Sequence, residues 1–318
     1  CRQPPRRLRN AGSQQSEYWK VEKEEVMSES RNKNVAFASA AAAIPALRVV
    51  TYNIHGCVGV DRRYDPARIA AVLREIDADI VCLQEVDARS SRGPDGDQAK
   101  YLAEATDLSI ILSVAARRGG RFANAILTRF PPIATRAIDL AVPGYEPRGA
   151  IDVDLRVGER ILRVMATHFG LHAGERRLQA NRLIAALGEP VASTEAVPRA
   201  VLLVGDLNEW RGRAGGVGAL DRCLGPSATP RTFPSWMPVL PLDRIYAFGP
   251  ATLRDVRVYR SPLARLASDH LPLVGTLWWT GAQPSHQRRN PSTDGVGVFR
   301  LHRIRRRLDA IAEPPRTV

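Results

Sequence analysis

The stretch Val201-Leu-Leu-Val-Gly-Asp-Leu-Asn208 decides how this chain is read. Four apolar residues, two of them β-branched, make the run of a buried strand. Gly205 ends the run, and Asp206 and Asn208 follow at alternate positions. In an extended chain such positions face one side, so a carboxylate and a carboxamide are offered together at the mouth of a strand. The carboxylate can take a proton from water or bind a cation, and the amide can donate to a phosphate oxygen. The same residues also fit an Asx-rich turn after a strand. The stretch alone leaves both readings open, and the other strand ends decide.

Upstream, residues 47–54 (LRVVTYNI) read as a strand whose end carries Asn53 and then His55. Asp65-Pro66 starts a helix, with Asp as N-cap, Pro in the first turn and an apolar stripe of Ile69, Val72, Leu73 and Ile76. Residues 80–83 form a second buried strand that delivers Glu85. Strand, helix and strand in that order predict a layered α/β fold. A helix is expected over 98–106, then strands over 109–114, 123–127, 133–139, 150–157 and 161–166, the last leading into His168. A basic turn with Arg117, Arg118 and Arg121 separates the first two of these strands. Residues 175–187 read as an amphipathic helix. Beyond the focal strand come a Gly-rich stretch around 211–218 and a Pro-bounded loop over 232–238. A strand is entered at Asp243, and Asp269-His270 precede the last one, 273–278.

Polar residues therefore stand at or just outside apolar strand ends: Asn53/His55, Glu85, His168, Asp206/Asn208, Asp243 and Asp269/His270. In open α/β sheets such ends line one crevice. Singly, each has a plain alternative: a solvated cap for Glu85, a core histidine for His168, a turn before Pro272 for Asp269-His270. Their joint placement argues for one site.

The 318 residues could hold one large domain or two small ones, and 44% hydrophobic with 25% charged residues is ordinary for a globular chain. Of the net charge of +13, residues 1–46 carry +3 and residues 280–318 carry +5. A basic balance favours anionic partners such as nucleic acid, a phospholipid surface or phosphate esters, without choosing among them. Four cysteines without CxxC spacing suggest neither a disulfide framework nor a zinc site, so a reducing, cytoplasmic setting is expected. No run of about 18 apolar residues predicts a membrane span. Residues 1–46 are expected to be a disordered extension, 47–279 the folded catalytic domain and 280–318 a basic tail. Residues 35–47 read as a linker, although alanine-rich apolar residues after Arg31 and Lys33 also fit a signal-peptide pattern. In the tail, Leu301, Ile304, Leu308 and Ile311 fit a short amphipathic helix, either a solvated end or a peripheral contact with an anionic membrane.

TYNIHG (51–56), LQEVD (83–87), THFG (167–170), GDLN (205–208), LDRIY (242–246) and SDHLPL (268–273) follow one another in an order and spacing that resemble the endonuclease/exonuclease/phosphatase superfamily, the deoxyribonuclease-I-like hydrolases. RFANAILTRFP and TFPSWMPVLPLDRIY look most like its small prokaryotic metal-dependent branch. The resemblance implies a four-layer α/β sandwich of two packed mixed sheets with outer helices. It implies hydrolysis of a phosphate ester, in nucleic acid or in a phospholipid or inositol phosphate, with Mg2+ or Mn2+; a monomer is expected. Carried over by position, Glu85 is the principal metal ligand, supported by Asn53, and Asp269 is a further metal-side carboxylate. Asp206 takes the proton from the attacking water, and Asn208 and His168 hold phosphate oxygens. His270 stabilises the transition state, with Asp243 fixing its imidazole. His55 departs from the acid often found there in repair nucleases; it contacts phosphate, binds a different ion, or only orients a neighbour. Arg148, with Arg117, Arg118 and Arg121, is placed to meet phosphate, with surface ion pairs as the alternative. Few aromatics and short loops speak against a lesion-reading nuclease. The competing function is a catalytically weak relative that binds nucleic acid or an anionic membrane.

Overall fold

A computed structural model describes residues 46–87, 98–112, 122–189, 199–211 and 216–280. The chain divides into the units Cys1–Ala43 and Ile44–Val318. The first unit, Arg117, Arg118 and Arg121, and the tail with its expected helix lie outside the described residues.

Strands β1 (Ala46–Asn53), β2 (Ile80–Asp87), β3 (Ser109–Leu112), β4 (Phe122–Thr128), β10 (Ala251–Val258) and β11 (Leu273–Trp279) form one sheet in the order β10-β11-β1-β2-β4-β3. Strands β5 (Pro132–Asp139), β6 (Gly149–Val157), β7 (Arg160–His168), β8 (Ala200–Asp206) and β9 (Asp243–Phe248) form the other, in sequence order. Both sheets are mixed: β1 runs parallel to β2 and β7 to β8, and the other pairs are antiparallel. The helices are α1 (Pro66–Ile76), α2 (Gln98–Thr106), α3 (Ala173–Gly188), α4 (Gly218–Leu224) and α5 (Pro262–Ala267). Asp65 caps α1 as its sequence predicts, its side chain accepting from the N–H groups of Ala67 and Arg68.

Side-chain parity explains the layers. On β1, Leu47 and Val49 enter the core between the sheets, whereas Val50 and Tyr52 meet Ile69, Val72 and Leu73 of α1. On β8, Leu202 and Val204 face between the sheets, and Leu203 packs with Leu183 and Ile184 of α3. Central strands buried on both faces read as unbroken apolar runs. Three cores thus separate four layers, helix, sheet, sheet and helix, as expected from the sequence. Burial pushes the Cys82 thiol up, as for a small core hydrophobe, and no disulfide joins the described cysteines. No helix among the described residues is long and apolar enough to cross a membrane.

Candidate active site

The parity that builds the core also builds the site. Asp206 continues the series Leu202, Val204 on β8, and His168 continues Leu162, Val164, Ala166 on β7. Asn53 follows Leu47, Val49 and Thr51 on β1, and Asp243 shares the parity of Ile245 on β9. All four belong to the face that each strand turns toward the opposite sheet. Register then sets them side by side, with His168 paired to Asp206 and Asp206 to Asp243.

Glu85 breaks this rule. Parity from Ile80 and Cys82 selects Gln84 for the inter-sheet face, and Gln84 is buried there, accepting a bond from Thr51 Oγ1 (3.2 Å). The β2–β4 register shifts between Leu83 and Val86, and Glu85 takes a left-handed φ of 55°. Such an irregularity re-aims a side chain. It brings Glu85 Oε1 to 3.0 Å from Asn53 Nδ2.

The same Asn53 amide nitrogen donates to Asp206 Oδ2 at 3.1 Å. His270 Nε2 lies 3.5 Å and His168 Nε2 3.7 Å from that oxygen. Asn208 N–H donates to Asp206 Oδ1 at 2.9 Å. His270 Nδ1 is bonded to Asp243 Oδ2 at 3.0 Å, and Thr232 Oγ1 donates to the same carboxylate oxygen. Asn208 Nδ2 donates to the Phe169 carbonyl at 2.9 Å and lies 3.1 Å from His168 Nε2. Arg148 Nη1 is 2.9 Å from His168 Nδ1, and Glu146 holds Arg148 Nη2 at 2.8 Å. Ser268 Oγ, bonded to the Asn53 carbonyl at 2.7 Å, ties the segment carrying Asp269 and His270 to the end of β1.

The two histidines beside Asp206 differ in charge. Burial lowers the affinity of His270 for a proton, but the Asp243, Asp206 and Asp269 carboxylates outweigh it and raise the pKa to about 10. Burial, joined by the Arg148 guanidinium, lowers His168 to about 3 against the pull of Asp206. Near neutral pH the first is an imidazolium and the second a neutral ring.

Three groups could be taken for a cation cage: one ligand atom each of Asp206, Asp243 and His270 lies within 4.8 Å of the others. Their atoms are occupied by one another, since the imidazolium donates to Asp243 and faces Asp206. The oxygens that could suit a hard divalent cation are those of Glu85, which Asn53 bridges to Asp206, and of Asp269, which lies beside His55. These are carboxylate oxygens, and among the described residues no lysine or arginine pairs with them. Asn53 stands between two of these carboxylates. Its Oδ1 accepts the His55 N–H (3.1 Å) with one of its two lone pairs, and its nitrogen bridges Glu85 and Asp206, so the amide positions both carboxylates and could still offer oxygen to a cation. His55 Nδ1 donates to the Val58 carbonyl at 3.1 Å and lies 3.9 Å from Asp269 Oδ1. That bond orients the ring between Val58 and Asp269.

Two further residues support the site without having stood out in the sequence. Fully buried Glu209 accepts from Arg176 Nη2 (3.2 Å), Arg211 N–H (2.8 Å) and Gly216 N–H (2.7 Å), fixing the loop after Asn208. Thr232 locks Asp243. Glu209 adjoins GDLN, so proximity to the motif was its only signal; Thr232 had none.

The Endonuclease/Exonuclease/phosphatase family model matches residues 50–270. An uncharacterised protein of Escherichia coli K12, YbhP, is 32% identical over 258 residues, covering 73% of this chain and 96% of that protein. An endonuclease/exonuclease/phosphatase structure from Beutenbergia cavernae has a TM-score of 0.56 at 24% identity, covering 76% of this chain and 73% of that one. A mannosyl-6-phosphatase structure from Bacteroides thetaiotaomicron has a TM-score of 0.57 at 19% identity, covering 73% and 100%. With its strand ends gathered into one polar cleft and the family match spanning all of them, the chain belongs to the endonuclease/exonuclease/phosphatase family, whose members hydrolyse phosphoester bonds.

Proposed function

We propose that this protein hydrolyses a phosphate ester, foremost a phosphodiester, by direct attack of water with Mg2+ or Mn2+ bound. The observation that carries the reading is the surround of one carboxylate oxygen: Asp206 Oδ2 has Asn53 Nδ2, His270 Nε2 and His168 Nε2 within 3.7 Å. Glu85 and Asp269 would hold the cation, which when bound supplies charge neutralisation at the phosphate. Asp206 accepts the proton of the attacking water; Asn53 and Asn208 fix its orientation through one bond to each oxygen. His270, kept cationic by Asp243, faces the charge that builds on the phosphoryl oxygens. Asn208 and His168 present N–H groups to the phosphate. In-line displacement needs charge neutralisation, an aligned water and a held phosphate, and these residues divide those tasks.

The test is hydrolysis of bis-p-nitrophenyl phosphate with Mg2+ or Mn2+, against EDTA. Glu85→Gln and Asp206→Asn should each lower the rate by at least about 10²-fold. Equal rates in wild type and both variants contradict the reading. A panel of plasmid DNA, RNA, phosphoinositides and sphingomyelin assigns the ester. A fold neighbour described as a mannosyl-6-phosphatase adds monoesters to that panel.

A further inference from the structure

We propose that Arg148 is a positioning residue that holds His168 as its Nε2–H tautomer and so keeps two adjacent N–H groups free for a phosphate oxygen. The inference deepens the hydrolase reading and rests on it for function, but its structural core is measured without turnover.

A guanidinium has five donors and no acceptor. The Arg148 Nη1 contact at 2.9 Å therefore makes His168 Nδ1 an acceptor, and the ring proton must sit on Nε2. That proton points into the site, where Nε2 lies 3.7 Å from Asp206 Oδ2. The groups facing His168 are Arg148, Asp206, His270 and Asn208, with Glu146 behind the guanidinium. Only Arg148 touches Nδ1 in this set.

The consequence lies in Asn208. Its Nδ2 is pinned by the Phe169 carbonyl and stands 3.1 Å from His168 Nε2. With the proton on Nε2, this is a contact between two donors, which a shared anionic acceptor relieves. With the proton on Nδ1, Asn208 would donate into the bare Nε2, and the pair would satisfy itself. Both N–H groups would then be lost to substrate. Arg148 forbids that closed arrangement because Nδ1 cannot carry a proton while the guanidinium donates to it. The fold thus backs its two histidines oppositely, His270 by the Asp243 carboxylate and His168 by an arginine.

The experiment is 15N–1H NMR of the histidine rings in metal-free wild type, Arg148→Met and Arg148→Lys, with kcat/KM measured against pH for each. In wild type His168 should show the Nε2–H tautomer. In Arg148→Met it should move to Nδ1–H, and kcat/KM above pH 7.5 should fall about 10-fold or more. Arg148→Lys, which restores a donor, should recover both tautomer and rate. An Nδ1–H tautomer in wild type overturns the proposal, and that spectrum decides even if the methionine variant fails to fold. A methionine variant that loses rate while His168 keeps the Nε2–H tautomer also overturns it, and assigns Arg148 to direct phosphate contact. If the tautomers behave as stated while no enzyme hydrolyses any ester, the hydrolase reading fails and the ring assignment stands.

Discussion

Asn53 and Asp206 perform the same local task. Each ends a strand, and each side chain accepts the backbone N–H two residues on, from His55 at 3.1 Å and Asn208 at 2.9 Å. Those residues then take left-handed φ values of 47° and 50°. The Asx turn and the functional pair, which the sequence left as alternatives, are one structure. Asn208 reaches the site through this turn, and not through extended alternation. Strain of this kind persists where surrounding bonds over-determine it. Gly205 belongs to the same economy: a Cβ there would stand 2.0 Å from the Thr167 carbonyl oxygen. Gly205→Ala should destabilise the protein by at least about 2 kcal/mol, read by urea unfolding; an unchanged midpoint contradicts the close approach. At His270, Asp243→Asn removes the carboxylate that raises its pKa, which should drop from about 10 by at least about one unit in an NMR titration of metal-free protein.

Among elements, α3 shows how the scaffold is tied at the end away from the chemistry. Its terminal carbonyls are taken by two arginines: Ala186 O accepts from Arg136 Nη2 (2.7 Å) and Arg163 Nη2 (2.8 Å). Between them, fully buried Asp152 binds Arg136 Nε (2.6 Å) and Arg163 Nη2 (2.7 Å). Asp152→Ala leaves buried cationic charge unpaired and should cost about 3–5 kcal/mol in denaturant unfolding. Arg163 precedes His168 by five residues on β7, about 16 Å, so the folded variant should keep its kcat. The long elements were legible because a strand buried on both faces or an amphipathic helix writes its period into the sequence. Helix α2 occupies the expected residues 98–106. Strand β10 was hidden because Arg254, Asp255 and Arg257 interrupt its apolar pattern on a partly exposed strand. Ser261-Pro262 did carry a start signal for α5, and Ser261 does cap it. The Glu85 irregularity was illegible: its side chain was named from its place just past an apolar run, while alternation along the strand would have turned it away from the cleft.

For the whole molecule, the histidines make stability depend on pH in opposite senses. His270 rises from 6.5 to about 10 on folding, so its contribution is complete below pH 6.5 and disappears as pH climbs through 10. His168 falls from 6.5 to about 3, so the unfolded chain holds the extra proton between those values and stability declines as pH drops from 6.5 toward 3. Metal-free protein should melt highest at about pH 6–7. His270→Asn should flatten the alkaline side and His168→Asn the acidic side; an alkaline slope unaltered by His270→Asn contradicts the raised pKa. The strand ends that form the site come from residues as far apart as Asn53 and His270, yet they were recognisable because each closes an apolar run. Their roles are less legible, since one amide can bridge carboxylates through its nitrogen, as Asn53 does, and ligate an ion through its oxygen. The account's central division of labour, Glu85 for the cation and Asp206 for the water, is tested most directly by bis-p-nitrophenyl phosphate hydrolysis titrated with Mn2+. Glu85→Gln should raise the half-saturating Mn2+ concentration by about 10-fold or more, whereas Asp206→Asn should leave it within about 3-fold and lose about 10² in rate. A half-saturation point that moves with Asp206→Asn and stays put with Glu85→Gln would contradict it.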